Sequence, residues 1–88
     1  MSDDIRLSHD QLFEVILSLK TVEDCKAFFQ DLCTEKELDS MTQRIKAAKL
    51  LKKGETYEQI ISKTDISSAT LSRVSRSLKY GNGYKKIL

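Results

Sequence analysis

The chain has 88 residues, of which 40% are hydrophobic, with no proline and three glycines; this composition excludes a disordered tail and favours helices joined by short turns. No apolar run approaches the roughly 20 residues of a membrane span, and the acidic N-terminus does not have the form of a secretory signal, so we expect a cytoplasmic protein. The net charge is only +2, but residues 1–43 carry four basic and ten acidic residues, whereas residues 44–88 carry eleven basic and three acidic ones. The basic half is expected to attract a polyanion and the acidic half to face something else, with chance clustering on solvated helix faces as the alternative.

Two helices are predicted in the N-terminal part of the chain. The run Ser8-His-Asp-Gln11 has the form of a capping box, in which the serine hydroxyl accepts from an early amide while Gln11 reaches back. Thr21 is placed to cap a second helix. Apolar residues at three- and four-residue steps give each helix one broad apolar face. These residues are Leu12, Phe13, Val15, Ile16 and Leu19 in the first helix, and Val22, Cys25, Phe28, Phe29 and Leu32 in the second.

The longest predicted helix covers residues 35–53. Thr34-Glu-Lys-Glu37 is a second capping box, and Gly54 suits the left-handed position just past the helix end. Its apolar stripe consists of Leu38, Met41, Ile45, Ala48 and Leu51. Such a helix is nearly 30 Å long, at about 1.5 Å per residue, which a small monomer does not easily cover. We therefore predict one domain over residues 1–88, a homodimer, with residues 8–53 as its dimerisation helices.

Residues 56–80 read as two helices joined by a tight turn. Thr56-Tyr-Glu-Gln59 is a third capping box and opens a short helix over 57–63; after a break at 64–66, Ser67 caps a helix that runs to Lys79 or Tyr80. Asp65 stands where a helix-turn-helix needs a left-handed residue. Residues 81–83 end the second helix, and residues 84–88 form one more turn or stay loose. One apolar seam is predicted where the two helices cross, formed by Ile60, Ile61, Ile66, Leu71, Val74 and Leu78.

The exposed face of the second helix predicts DNA reading. Small residues at its start let the backbone approach base edges in the major groove, and its basic residues can anchor phosphates. The predicted DNA-binding residues are Gln59, Lys63, Ser67, Ser68, Ala69, Thr70, Ser72, Arg73, Arg76 and Lys79. A helical hairpin with a serine-rich solvent face is the alternative. Ile61 stands where the first helix usually has a small residue, which implies a wider crossing or a shifted register.

Several motifs resemble the Trp repressor family over about half of the chain, from Thr34 to Lys79. They are Arg44, the Leu-Leu-x-x-Gly-Glu pattern at 50–55, and Ala-Thr-Leu-Ser-Arg at 69–73 followed by Ser-Leu-Lys at 77–79. The chain is most similar to the small Trp-repressor-like proteins of the YerC/YecD type from Gram-positive bacteria. The resemblance implies about six short helices, an intertwined homodimer built from the N-terminal helices and the long helix, two reading heads, and transcriptional control.

The resemblance also implies a candidate effector pocket. The two arginines that flank the corepressor ring in Trp repressors correspond to Arg44 and Arg73, and the polar partners correspond to Thr34, Thr70 and Ser77. Val74 replaces the glycine that makes room for the ring, and one residue is missing between Gly54 and Ala69. Because a β-branched side chain has little rotamer freedom in a helix, we expect no L-tryptophan in this pocket. A smaller carboxylate effector stays open.

The sequence thus predicts an all-α transcriptional regulator, a repressor, that reads the major groove with helix 68–79. The alternative is a protein–protein adaptor that keeps the fold without reading DNA. A zinc site needs four ligands at short spacings, so with only Cys25, Cys33 and His9 we expect no metal and two reduced cysteines. An enzyme is not expected, because no nucleophile–base constellation, glycine-rich phosphate loop or carboxylate pair is present.

Overall fold

The structure is a computed structural model that describes residues 8–88. The described chain consists of six helices without strands: α1 (Asp10–Leu17), α2 (Val22–Leu32), α3 (Glu35–Lys52), α4 (Tyr57–Thr64), α5 (Ser68–Tyr80) and α6 (Gly83–Ile87). The all-α prediction with about six helices is confirmed. None of these helices is long and apolar enough to cross a membrane.

The first of two compact units ends at Thr34 and contains α1 and α2. The Thr21 side chain accepts a hydrogen bond from the Asp24 amide at 3.0 Å, so the predicted cap of α2 is confirmed. The predicted capping box at Ser8 is wrong. α1 is preceded by His9, whose backbone is already helical and whose side chain makes no capping bond, while Ser8 Oγ accepts from the Asp10 amide at 3.3 Å.

The second unit, Glu35–Leu88, carries the buried core. α3 packs against both α4 and α5, α4 packs against α5, and α6 packs against α5. The fully or almost fully buried hydrophobic residues are Ala47, Ala48, Ile60, Ile66, Leu71 and Val74. The adjacent alanines let the helices approach α3 closely, and the larger side chains of α4, the turn and α5 fill the space above them. Ile61 lies at the margin of this core, half-buried, and packs against it.

Backbone conformation explains where the helices of the second unit end. Gly54 has φ 89° two residues past the end of α3, which is the left-handed position predicted for it. At the start of α4, Thr56 Oγ1 accepts from the Gln59 amide at 3.2 Å and Gln59 Oε1 accepts from the Thr56 amide at 2.9 Å. The predicted third capping box is therefore confirmed in both directions.

The turn between α4 and α5 contains three residues, each with a separate role. Asp65 adopts the predicted left-handed conformation with φ 59°, Ile66 is buried, and Ser67 caps α5 by accepting from the Thr70 amide at 3.1 Å. Thr64 stabilises the entrance to the turn, since its hydroxyl donates to the Ile60 carbonyl at 2.8 Å. The Gln43 amide group donates to the Thr64 carbonyl at 3.0 Å, which fastens the turn to the middle of α3.

Candidate nucleic-acid interface

Helix α5, for which the sequence predicts DNA reading, has a buried side and an exposed side. Leu71 and Val74 are in the core, whereas Ser68, Ala69 and Ser72 are exposed. The exposed residues lie in the first turns of the helix, where the predicted base-reading surface requires them. Their side chains are small and make no contribution to the core. This side of α5 therefore offers a surface that can approach another molecule closely.

Ser67 and Thr70, the other two hydroxyl residues predicted to contact DNA at the start of α5, are hydrogen-bonded to each other. Besides accepting from the Thr70 amide, Ser67 Oγ donates to Thr70 Oγ1 at 2.9 Å. Thr70 is half-buried and lines a cavity on the α3 side of the helix. The structure thus gives Ser67 a capping role. Thr70 faces the cavity and does not lie on the exposed surface with Ser68, Ala69 and Ser72.

Positive charge continues along α5 and into α6. Arg73, Arg76 and Lys79 are all exposed, and Lys79 Nζ lies 5.8 Å from the ring centre of Tyr80. Residues 66–88 contain five basic residues, the three just named with Lys85 and Lys86, and no acidic residue. The sequence therefore places a basic segment without acidic residues on α5 and directly after it.

Two predicted DNA-binding residues of α4 already have partners within the chain. Lys63 Nζ pairs with Glu55 Oε1 at 2.7 Å, and the side chains of these residues are 53% and 20% exposed. Gln59 uses its side-chain oxygen in the capping box with Thr56. Both residues are exposed, so each can still be approached from solvent, but their positions are fixed by these bonds.

A polar cavity of about 200 Å³ lies between α3, α5 and α6. Its lining comprises five residues that the resemblance implies for the effector pocket, which are Arg44, Thr70, Arg73, Val74 and Ser77. Thr34, the sixth, belongs to the first unit, and its place in the pocket stays a prediction. The structure adds Ser40 from α3 and Tyr84 from α6. Among residues 8–88, no carboxylate lines this cavity, so its two guanidinium groups give it a positive charge.

Val74 limits the room in this cavity. It is only 3% exposed and packs with the core, yet it also lines the cavity between Arg44 and Arg73. A glycine at this position would leave open the volume that the two methyl groups fill.

Next to the polar cavity is a larger apolar hollow of about 610 Å³. It is lined by Ile45, Ser77, Gly81, Gly83, Tyr84, Ile87 and Leu88. Ile45 is 45% exposed and Ile87 78% exposed.

Within residues 8–88, no group of three or more His, Cys, Asp and Glu side chains is placed to hold a metal ion. Cys25 and Cys33 are half-buried and not joined in a disulfide.

Together, α4, the three-residue turn and α5 define a helix-turn-helix unit packed on a long supporting helix. The family model described as Trp repressor protein matches residues 8–88, and the chain belongs to this family. It is 53% identical over 73 residues to YerC of Bacillus subtilis (strain 168), covering 83% of this chain and 70% of YerC. The predicted resemblance is therefore confirmed.

Two solved structures are also similar to this chain, each at 49% sequence identity. A TrpR-like protein from Eubacterium eligens is 49% identical, with a TM-score of 0.85 over 89% of this chain and 81% of that chain. A candidate Trp repressor from Staphylococcus aureus is also 49% identical, with a TM-score of 0.86 over 90% of this chain and 80% of that chain.

Proposed function

We propose that the protein is a sequence-specific DNA-binding transcriptional regulator, a repressor, that inserts α5 into the major groove of duplex DNA. The observation that carries this proposal is the exposed side of α5, where small residues precede a basic segment without acidic residues. Membership of the Trp repressor family supports the same reading. Small side chains permit close approach to base edges, and cations beside them neutralise phosphates.

Within this proposal, Ser68, Ala69 and Ser72 read bases, while Arg73 and Arg76 hold the phosphate backbone. A hydroxyl can donate to or accept from several bases, and the Ala69 methyl group can contact a thymine methyl. Phosphate contacts fix the orientation of the helix without selecting a sequence. Lys79 and Lys63 add to the phosphate contacts at the two ends of the head. Affinity is thus assigned to the basic side chains and sequence preference to the small ones.

The functional unit of the proposal is a homodimer. The homodimer is supported by the apolar surface of α1 and α2 that a single chain leaves exposed to solvent. None of the residues of α1 and α2 is buried, and Phe13, Leu17 and Val22 are 58%, 85% and 66% exposed. A second copy that covers such surface removes it from water and presents two reading heads to two half-sites of a palindrome. Light scattering at micromolar concentration should give about twice 10.1 kDa; a monomer with full helix content would contradict this part.

Free L-tryptophan is not the effector in this proposal. A planar indole needs a flat slot between Arg44 and Arg73, and the β-branched Val74 lines the same cavity as these two arginines. The remaining cavity of about 200 Å³ lies below the range of about 300–1,000 Å³ that is common for small-molecule sites. Calorimetry with millimolar L-tryptophan should give no saturable heat. Saturable heat together with tighter DNA binding would overturn this statement.

The experiment that tests the proposed function is selection of bound sequences from a random duplex pool. A palindromic consensus is expected, with half-sites one helical turn apart or a multiple of it. Affinity for the selected duplex should fall steeply between about 50 and 200 mM salt, as counterion release requires. If no sequence is enriched and binding is insensitive to salt, the chain does not read DNA, and the protein–protein adaptor becomes the better interpretation.

A further inference from the structure

Tyr84 on the short helix α6 borders several cavities at once. It is half-buried on the short helix α6, and it packs against the core of the second unit. It lines the polar cavity with Arg44 and Arg73, and it also lines the apolar hollow with Ile45. A third hollow, of about 360 Å³ between α3 and α6, is lined by Tyr84 together with Met41, Arg44 and Ile45. Tyr84 is therefore the side chain of α6 that borders all three of these spaces beside α3.

The junction of α5 and α6 fixes this position through the backbone. The Gly81 amide donates to the Ser77 carbonyl at 2.8 Å and ends α5. A Cβ atom added at Gly81 would lie 2.7 Å from the Ser77 carbonyl oxygen, a distance that real Cβ atoms do not adopt. At the other end, the Leu88 amide donates to the Tyr84 carbonyl at 2.9 Å and closes the single turn of α6. The close approach at Gly81 thus determines where α6, and with it Tyr84, meets α3.

The surroundings of Tyr84 suit a phenol. One neighbouring space is lined by Ile45, Ile87 and Leu88, and the other by arginine and hydroxyl side chains. Tyrosine has an apolar ring and one polar tip, so it fits at such a boundary between apolar and polar groups. A phenylalanine would fill the same volume, whereas an alanine would leave the two spaces joined.

We propose that Tyr84 is a positioning residue that acts as a built-in effector, an inference that rests on the proposed function. Its ring occupies the space between α3 and α5 from inside the chain and holds α5 in the pose that reads DNA. A protein whose competent pose is populated only in part loses apparent affinity in proportion to that population, and a group that fixes the pose removes this loss. DNA binding would then need no small molecule, because the chain supplies the filling group itself.

The test compares Tyr84→Ala with Tyr84→Phe, and uses Tyr80→Ala as the matched control. Tyr80 is 77% exposed on α5, so its replacement removes the same side chain without touching the cavity. Each variant is first checked for helix content and oligomeric state. The readouts are affinity for the selected duplex, affinity for a random duplex, and hydrogen exchange of the α5 amides without DNA. Each is repeated with millimolar p-cresol, which has the ring and hydroxyl that Tyr84→Ala removes.

Folded Tyr84→Ala is expected to bind the selected duplex about tenfold or more weakly while keeping its affinity for random duplex, and to exchange its α5 amides faster. Tyr84→Phe and Tyr80→Ala should behave as the wild type, and p-cresol should restore Tyr84→Ala alone. Unchanged affinity of folded Tyr84→Ala, or an equal loss on both duplexes, overturns the inference. If Tyr84→Ala does not fold, Tyr84→Leu is held to the same criteria. Failure of the wild type to select any duplex overturns the proposed function itself, which distinguishes the two failures.

Discussion

Replacing Arg76 by alanine should weaken DNA binding by an amount that depends on salt. Arg76 is exposed on α5, in the segment 66–88 that has no acidic residue, so its guanidinium group is free to meet a phosphate. The slope of log K against log salt concentration is about −0.9 for each neutralised phosphate on duplex DNA. A dimer contributes two copies of Arg76, so the variant should lose about 1.8 from the slope. Over a fourfold rise in salt, the wild type should therefore lose about 12-fold more affinity than the variant does.

The assay is fluorescence anisotropy with the selected duplex at several salt concentrations between about 50 and 200 mM. A second titration with a random duplex should show the same change in slope, because phosphate contacts carry no sequence information. Lys26→Ala is the matched control, since Lys26 is an exposed cation on α2 in the acidic half of the chain. An unchanged slope in Arg76→Ala, or an equal change in Lys26→Ala, would refute the assignment of Arg76 to the DNA backbone.

Three further changes separate recognition, charge and stability. Ser72→Ala should alter the selected sequence at one position of each half-site while the salt slope stays the same; identical selection results would mean that another side of α5 faces the bases. Glu55→Gln removes the carboxylate that pairs with Lys63, so the affinity of the protein for any duplex should rise, and a fall in affinity would contradict this. The free energy of unfolding, measured by denaturant titration, should change by less than about 1 kcal/mol. Leu71→Ala removes a side chain with 0% exposure and should cost about 2–5 kcal/mol of unfolding free energy, and a loss below 1 kcal/mol would contradict its place in the core.

Local patterns predicted the second unit well because its boundaries depend on neighbouring residues. The capping box at Thr56, the cap at Ser67 and the left-handed residues Gly54 and Asp65 each involve bonds or dihedral angles within a few positions. Such features follow from side-chain reach and backbone sterics, which the sequence displays directly. The same reasoning failed at Ser8, where a suitable capping sequence precedes a helix that begins after an already helical His9.

Contacts between distant residues were harder to infer. Ala47 is fully buried although it lies outside the apolar stripe predicted for α3, because a close helix crossing also buries the small residue next to Ala48. The bond between Lys63 and Glu55 spans eight positions and joins α4 to the loop that precedes it, so no helical spacing predicts it. Tyr84 reaches the cavity only because α6 folds back after Gly81. The sequence motifs that resemble Trp repressors end at Lys79, so they supplied the arginines of this cavity but not Tyr84.

The separation of α5 into a core side and an exposed side has a consequence for how recognition can change. Leu71 and Val74 hold the helix in place, while Ser68, Ala69 and Ser72 contribute nothing to the buried core. Exposed positions of this kind usually tolerate substitution within about 0.5 kcal/mol. The three positions therefore form an exchangeable set, and a library randomised only there should yield folded proteins with new operators. Under the proposed function, such a scaffold would let sequence preference diverge between related proteins without a compensating change in the buried core.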